Sequence, residues 1–398
     1  MLDKNALIGI VGAGAMGAGI AQVAATAGHN VLVFDMNNAA IEDAAINWKS
    51  SINKLAEKNK FSREKVHAIL ANLKTTTDLS DFNGCNLIIE AVIEDISIKQ
   101  KIFLDLEKMV SDQCVLATNT SSLSIASIAS VCKIPSRVIG IHFFNPAIIM
   151  PLVEIIPAIT THEKIIDSCK EMIDFWGKTT VVAKDTPGFI VNRLARCFYG
   201  ESIRIYEEGI ADFATIDWAL KHFGQFRMGP FELMDFIGND VNYKVTETVW
   251  TQFFYEPRFK PSITQRRLYE AKHYGRKTGK GYYDYSENTK QPVPNKNEIL
   301  GKVIFTRVIS MMINEAIEAF HQRLASKEDM EIAMEKGVNY PKGLFRWADD
   351  LGLENVLQTL TDLYTEYGEE RYRPAVLLKR MVREGKHFYE KSFWHKQK

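Results

Sequence analysis

The hydrophobic pattern of this chain changes period partway along. In the first part, short apolar runs alternate with helical stretches. Ala6–Val11, Asn30–Phe34, Leu87–Val92, Val115–Thr118 and Val138–Ile141 each read as a strand bounded by turn residues. An Ala-rich helical pattern over Ala18–Ala27, ended by Gly28, lies between the first two, and residues 41–80 carry a longer helical excursion. Strands alternating with helices predict a doubly wound parallel sheet, in which function gathers at the C-terminal ends of the strands. Beyond residue 185 the period is helical. Helices are predicted over Gly188–Gly209, Thr215–His222 and Glu232–Phe254. A polar linker with two prolines follows over Ser286–Asn297, then another helical block at about 299–390. The expected division is an α/β domain over 1–185, a helical domain over 186–285 and a second helical domain over 299–390.

The two helical blocks resemble each other at a constant offset of 114 residues. Arg193 aligns with Arg307, Glu201 with Glu315, Ala219 with Ala333 and Phe226 with Tyr340. Gly229 aligns with Gly343, Phe231 with Phe345, Asp235 with Asp349 and Gly238 with Gly352. A shared offset without gaps predicts duplication of one helical domain. Asn192 aligns with Thr306, so the second copy is read as structural.

Composition narrows the classes. The 398 residues suffice for two or three domains with a sizeable core. Lys+Arg and Asp+Glu both total 49, so net charge gives no hint of nucleic acid or an anionic membrane as partner. No apolar run reaches the roughly 18 residues of a membrane helix. No secretory leader is expected, because the first strand starts near Leu7. Five scattered cysteines, Cys85, Cys114, Cys132, Cys169 and Cys197, form no CxxC and no metal-ligand spacing with His. They read as reduced, mostly buried thiols of a cytoplasmic protein, with no metal site expected.

Chemistry enters at the first turn. The run Ala6–Val11 opens into Gly12-Ala13-Gly14-Ala15-Met16-Gly17, and Asp35 falls 18 residues after Gly17. In a strand–turn–helix–strand unit, Gly12 permits the tight turn and Gly14 lets the backbone approach a pyrophosphate. Gly17 allows close helix packing, and the helix N-terminus faces the phosphates. The Asp35 carboxylate accepts hydrogen bonds from ribose hydroxyls and repels a 2′-phosphate, so the cofactor expected is NAD rather than NADP. The other strand ends carry Glu90 and Glu94, Ser121 and Ser122, and His142. Glu94 also reads as a helix N-cap or first-turn acid, and Ser121 as a helix cap.

The segment Ile139–Glu154, IGIHFFNPAIIMPLVE, places His142 in one apolar run and Glu154 in the next, with Asn145-Pro146 as a turn signal between them. Two strands folding back there bring imidazole and carboxylate together. A His oriented by a carboxylate beside a nicotinamide suits oxidation of an alcohol, because a neutral imidazole takes the hydroxyl proton as hydride leaves. Lys54, Lys58 and Lys60 form a basic cluster, read either as a solvated face or as an attraction for a phosphorylated substrate such as coenzyme A.

Together these residues resemble the L-3-hydroxyacyl-CoA dehydrogenases, including the 3-hydroxybutyryl-CoA dehydrogenases. The matching stretches are IGIVGAGAMGAGIA, IIEAVIED, ATNTSSLSI, GIHFFNP, LVEII, KDTPGFIVNR, MGPFELMDFIG and GRKTGKGYYDY, in order over about residues 5–285. The resemblance implies a Rossmann-like domain followed by an all-α region, here of two tandem related helical domains. It implies NAD-dependent oxidation of L-3-hydroxyacyl-CoA to 3-oxoacyl-CoA in fatty-acid or related acyl-CoA metabolism. By the same resemblance His142 is the general acid/base and Glu154 orients it. Ser121 and Asn192 contact the substrate oxygen, Glu94 lies near the cofactor, and Asp35 binds ribose. Pro151 departs from the pattern, standing where a Lys is common. Single-copy members form homodimers through the helical domain, so the second copy implies either a monomer with a pseudo-dimeric repeat or a modified homodimer. The competing reading on the same scaffold is a dehydrogenase of a free 3-hydroxy acid, like the L-gulonate dehydrogenases. A nucleotide-binding protein without turnover is the reading from another class, opposed by the intact His142, Glu154, Ser121 and Asn192.

Overall fold

The computed structural model describes residues 2–389; the last residue of the expected 299–390 block lies outside them. The chain forms two compact units, residues 1–189 and 190–398. In the first, eight strands form one sheet: β1 (Ile8–Val11), β2 (Val31–Phe34), β3 (Leu73–Thr76), β4 (Leu87–Glu90), β5 (Val115–Thr118), β6 (Val138–Phe143), β7 (Leu152–Pro157) and β8 (Thr179–Val182). Their order is β3-β2-β1-β4-β5-β6-β7-β8. All neighbours are parallel except β6 and β7, which are antiparallel. Helices α1 (Ala15–Thr26), α2 (Asn38–Glu57), α3 (Arg63–Ala71), α4 (Ile96–Met109), α5 (Ile125–Ala129) and α6 (Glu163–Phe175) link the strands. Every residue of β1, β4, β5 and β6 is buried, which explains why these strands read as unbroken apolar runs.

The strand order reverses at β1, which lies between β2 and β4. Val11 at its C-terminal end is in register with both Phe34 and Glu90. Folds of this kind bind ligands at such a switch point, outside the carboxyl ends of the strands. Two strands escape the apolar pattern. The β3 strand, Leu-Lys-Thr-Thr, is polar at three of its four positions, lies at the sheet edge and sits inside the stretch expected to be helical. At the opposite edge lies β8, Thr-Thr-Val-Val. Edge strands are held by one neighbour, so their sequences need not alternate or run apolar.

The second unit is helical: α7 (Val191–Leu194), α8 (Arg196–Glu207), α9 (Phe213–Gly224), α10 (Pro230–Ile237), α11 (Asn239–Gln252), α12 (Ile263–Glu270), α13 (Glu298–His321), α14 (Lys327–Gly337), α15 (Leu344–Leu351), α16 (Leu353–Tyr367) and α17 (Val376–Arg383). The stretch expected as one helix over Glu232–Phe254 is two helices, divided at Gly238, whose φ is +106°. That backbone conformation favours glycine and breaks the helix. Its counterpart Gly352, at φ +83°, divides α15 from α16.

The two copies bind each other through reciprocal ion pairs. Arg193 Nε donates to Glu315 Oε1 at 2.7 Å, and Arg307 Nε donates to Glu201 Oε1 at 2.6 Å. Each exchanges the same residue types at equivalent positions, as in a two-fold interface. Outer partners repeat the relation: Arg193 reaches Gln322 at 2.9 Å, and Arg307 reaches Glu208 at 2.9 Å. Arg258 joins Glu315 at 3.0 Å, and Arg371 approaches Glu201 at 3.7 Å.

Candidate active site

The site grows from three strand ends in the first unit. After β1 the chain turns at Gly12, where φ is +106° and a Cβ would stand 2.7 Å from the Ala91 carbonyl oxygen. Gly17 on α1 is more tightly constrained, since a Cβ there would lie 1.8 Å from the Gly12 carbonyl oxygen. The loop therefore folds down on its own helix. A Cβ at Gly14, by contrast, would meet nothing within 4 Å, and this N-cap residue provides no side-chain hydrogen bond. The first-turn amides of α1 are left for a phosphate, so the residues present fit a dinucleotide. Asp35 ends β2 beside this loop. Its carboxylate accepts from the Ala13 amide at 2.8 Å and the Asn37 amide at 2.9 Å, which fixes the acid against the glycine turn.

His142 lies on β6 directly opposite Glu154 on β7 in the antiparallel register. Its Nδ1 is 2.7 Å from Glu154 Oε2. The imidazole is 5% exposed and the carboxylate 0% exposed. Phe144 and Phe189 rings pack on the imidazole at 4.5 and 5.8 Å between centroids. An ionised carboxylate only accepts, so Nδ1 carries the hydrogen and Nε2 presents the lone pair. A buried pair of this kind holds a base in one orientation and receives the positive charge when it is protonated. The connecting loop contains a cis Asn145–Pro146 peptide. Lys178 Nζ donates to the Met150 carbonyl oxygen at 2.9 Å and to that of Ala147 at 2.5 Å, and the Thr179 amide reaches the Pro151 carbonyl at 2.8 Å. The cation that secures this loop thus comes from the start of β8, although Pro151 itself carries no charge.

Glu94 gathers the turn after β5. One carboxylate oxygen, Oε1, accepts from Thr120 Oγ1 at 2.6 Å, from the Ser121 amide at 2.9 Å and from the Ser122 amide at 3.2 Å. Burial pushes the carboxyl up, but the Lys99 charge and these hydrogen bonds outweigh it and hold the acid below its ordinary range. Neither Glu94 nor Ser121 caps a helix: Asp95 caps α4 and Ser124 caps α5. Behind them Lys99, 1% exposed, places its ammonium 2.7 Å from Glu90 and 3.4 Å from Glu94. Glu90 also accepts from Thr118 Oγ1 at 2.8 Å. A buried lysine compensated by two acids ties the ends of β4 and β5 to the turn that carries Ser121. Neither Lys99 nor Lys178 is legible in the sequence as a site residue. Each looks like an ordinary surface lysine in its own helix or turn, and no local signal marks it.

The two remaining expected site residues are carried by helices. Lys54 is exposed on α2, and no contact joins it to the His142 pair among the described residues. Asn192 is half-buried on α7 of the second unit. Among the described residues no group of three or more His, Cys, Asp or Glu forms a metal site.

The family model described as 3-hydroxyacyl-CoA dehydrogenase, NAD binding domain, matches residues 7–186. That described as 3-hydroxyacyl-CoA dehydrogenase, C-terminal domain, matches 188–285 and again 303–392. The 3-hydroxyadipyl-CoA dehydrogenase of Escherichia coli K12 is 33% identical over 95% of this chain and 98% of its own. Human mitochondrial hydroxyacyl-coenzyme A dehydrogenase is 38% identical over 69% of this chain and 90% of its own, which leaves the length of one helical copy unmatched. A crystal structure of 3-hydroxybutyryl-CoA dehydrogenase from Escherichia coli K12 superposes with a TM-score of 0.90 at 33% identity, covering 96% of this chain and 100% of that one.

Proposed function

The chain belongs to the 3-hydroxyacyl-CoA dehydrogenase family, and on that footing we propose that His142 is its general acid/base, oriented by Glu154. The reaction is NAD-dependent oxidation of a 3-hydroxyacyl-CoA thioester. Bound NAD supplies the hydride acceptor, held by Gly12, Gly14, Gly17 and Asp35. In the oxidative direction His142 Nε2 takes the C3 hydroxyl proton, and Glu154 stabilises the imidazolium that results. Ser121 and Asn192 hold the C3 oxygen. Glu94 fixes the turn that carries Ser121 and lies near the cofactor. Lys54 attracts a coenzyme A phosphate. The L configuration at C3 follows from the same reading.

The observation that carries this reading is the buried His142–Glu154 contact of 2.7 Å, with the second imidazole nitrogen left to act. The free-acid alternative gains no observation of its own. We also infer that the second helical copy acts as a structural partner for the first within one chain, giving a monomer. Its support is the reciprocal Arg193–Glu315 and Arg307–Glu201 pairing. No helix among the described residues is long and apolar enough to cross a membrane. The five cysteines are buried and unpaired, which supports a reducing compartment such as the cytoplasm.

Absorbance of NADH tests the chemistry with acetoacetyl-CoA, free acetoacetate and the His142→Ala variant. Turnover confined to the thioester and lowered by about 10²–10⁴-fold in the variant is the expected result. Undiminished turnover by His142→Ala overturns the assignment of the base. Static light scattering of the full chain tests the monomer; a dimeric mass rejects it.

A further inference from the structure

Six arginines are buried among the described residues: Arg137, Arg193, Arg196, Arg258, Arg307 and Arg371. Five lie within salt-bridge distance of a glutamate. Arg196 does not. It is 6% exposed, and its guanidinium donates only to neutral groups: the Asn192 carbonyl at 2.8 Å, the Asn242 carbonyl at 3.3 Å and Thr246 Oγ1 at 3.0 Å. The Tyr199 ring lies 5.0 Å away. Burial lowers the Arg196 pKa, and the ionisable groups near enough to oppose this are Tyr199, Tyr340 and Cys197, none of them an acid that is charged near neutral pH. A buried cation without a counter-charge is costly.

Two further donors around it lack an acceptor. Asn242 is buried and accepts from Gln265 Nε2 at 2.7 Å through Oδ1, while its Nδ2 has no partner. The hydroxyl of Tyr340, also buried, has none either. Cation and spare donors together ask for an anion that the chain does not provide.

The second helical copy shows that the fold does not need this cluster. At the offset of 114, Arg196, Asn242 and Thr246 become Ser310, Val356 and Leu360. All three are buried, two of them apolar. The second copy therefore packs at these positions without a cation.

We propose that Arg196, with Asn242 and Tyr340, receives the ω-carboxylate of a dicarboxylic 3-hydroxyacyl thioester. The proposal rests on the reading that Asn192 holds the C3 oxygen. Arg196 follows Asn192 by four residues, across the break at Ala195, and its Nε bonds the Asn192 carbonyl at 2.8 Å, so the guanidinium lies beside Asn192, within about 6 Å of its side chain by the reach of a residue. A carboxylate roughly three carbons beyond C3 spans a gap of that order with C–C bonds near ~1.5 Å. A guanidinium suits such an end group because its paired N–H donors match both carboxylate oxygens.

The test compares kcat/KM for 3-hydroxyadipyl-CoA with that for 3-hydroxyhexanoyl-CoA, six-carbon chains that differ at the far end. Calorimetric binding of unreactive adipyl-CoA and hexanoyl-CoA provides a second readout. A charged hydrogen bond predicts a preference of about 10–100-fold for the carboxylate end in the natural protein. Arg196→Met is expected to bring that ratio close to unity, and Arg196→Lys to leave it in between; Arg196→Lys alone decides the matter if Arg196→Met does not fold. Equal kcat/KM for the two ends in the natural protein overturns the proposal, as does a preference that survives both variants. An equal loss for both thioesters in the variants also overturns it, pointing to a coenzyme A phosphate as the anion. Silence with every thioester, acetoacetyl-CoA included, removes the dehydrogenase reading itself, whereas turnover without preference removes only this proposal.

Discussion

The two helical copies share a fold but not a chemistry. Where they meet, they keep matching residues: Arg193 and Arg307, Glu201 and Glu315, each arginine bonding the other copy's glutamate. Within each copy, a buried acid holds the same backbone turn. Asp217 accepts from the Phe231 amide, and Glu331, its counterpart, accepts from the Phe345 amide. Asp235 accepts from the Tyr282 and Tyr283 amides, as Asp349 does from those of Phe388 and Tyr389. Asn192 and Arg196 of the first copy, however, correspond to Thr306 and Ser310 in the second. The backbone follows suit. The first copy breaks between α7 and α8 at Ala195, whereas the equivalent residues of the second lie inside the uninterrupted α13. Residues that maintain packing are retained in both copies, whereas Asn192 and Arg196, proposed to meet substrate, have no like residue in the second. A duplicated domain thus separates the requirements of folding from those of catalysis.

The largest expected effect tests the symmetry. Glu315→Leu leaves Arg193 with only the neutral Gln322 and Arg258 with Glu256 at 3.8 Å, whereas after Glu201→Leu Arg307 keeps Glu208 and Arg371 keeps Glu369. Glu315→Leu should lose about 3–5 kcal/mol in urea unfolding, because removing one partner strands a buried charge, and Glu201→Leu should lose less. The outer partners, Gln322 on one side and Glu208 on the other, are what make the losses unequal; equal losses mean that Glu208 does not compensate Arg307.

Next comes the asymmetry. Asn192→Ala should lower kcat with acetoacetyl-CoA by about 10²–10³-fold, as for loss of a donor to a developing oxyanion. Thr306→Ala, at the matching position, should leave kcat unchanged. Comparable losses in both break the assignment of chemistry to one copy.

A smaller effect follows from placing the first copy's amide in the second. Val356 is buried where the first copy has Asn242. Val356→Asn should destabilise the chain by about 1–3 kcal/mol, measured by thermal unfolding, because no anion site is there to satisfy the amide.

The gentlest probe is pH. Burial pushes Asp217 from 3.8 up to about 8, against the pull of hydrogen bonds from Tyr283 and the backbone, and it also raises Glu331. A carboxyl whose pKa is raised on folding holds a proton that the unfolded chain has released. Its contribution to stability is therefore full at low pH and declines as pH rises from 3.8 towards about 8. Melting temperatures across that window should fall less steeply for Asp217→Asn than for the natural protein. An identical slope removes Asp217 as the source.

Much of this molecule follows from local sequence. The glycine turn, the four buried central strands and Asp35 are set by short-range rules: conformational freedom at Gly12, close approach at Gly17, and apolar runs where both faces of a sheet are covered. His142 and Glu154 were legible too, because an Asn-Pro turn between two apolar runs predicts strands that fold back. The 114-residue offset was visible as a pattern of matched residues. Tertiary structure alone decided which charges meet. Lys99 and Lys178 find their partners on other elements, and Arg193 finds Glu315 across 122 residues of chain. The edge strands β3 and β8 exist because a neighbour supplies their hydrogen bonds, not because their own residues demand a strand. Arg196 is the sharpest case. Sequence shows an arginine one turn after Asn192, but only packing reveals that it is buried without an acid. Periodicity reports the burial of one element's face, whereas the pairing of a buried charge depends on residues distant in sequence that the fold brings to it.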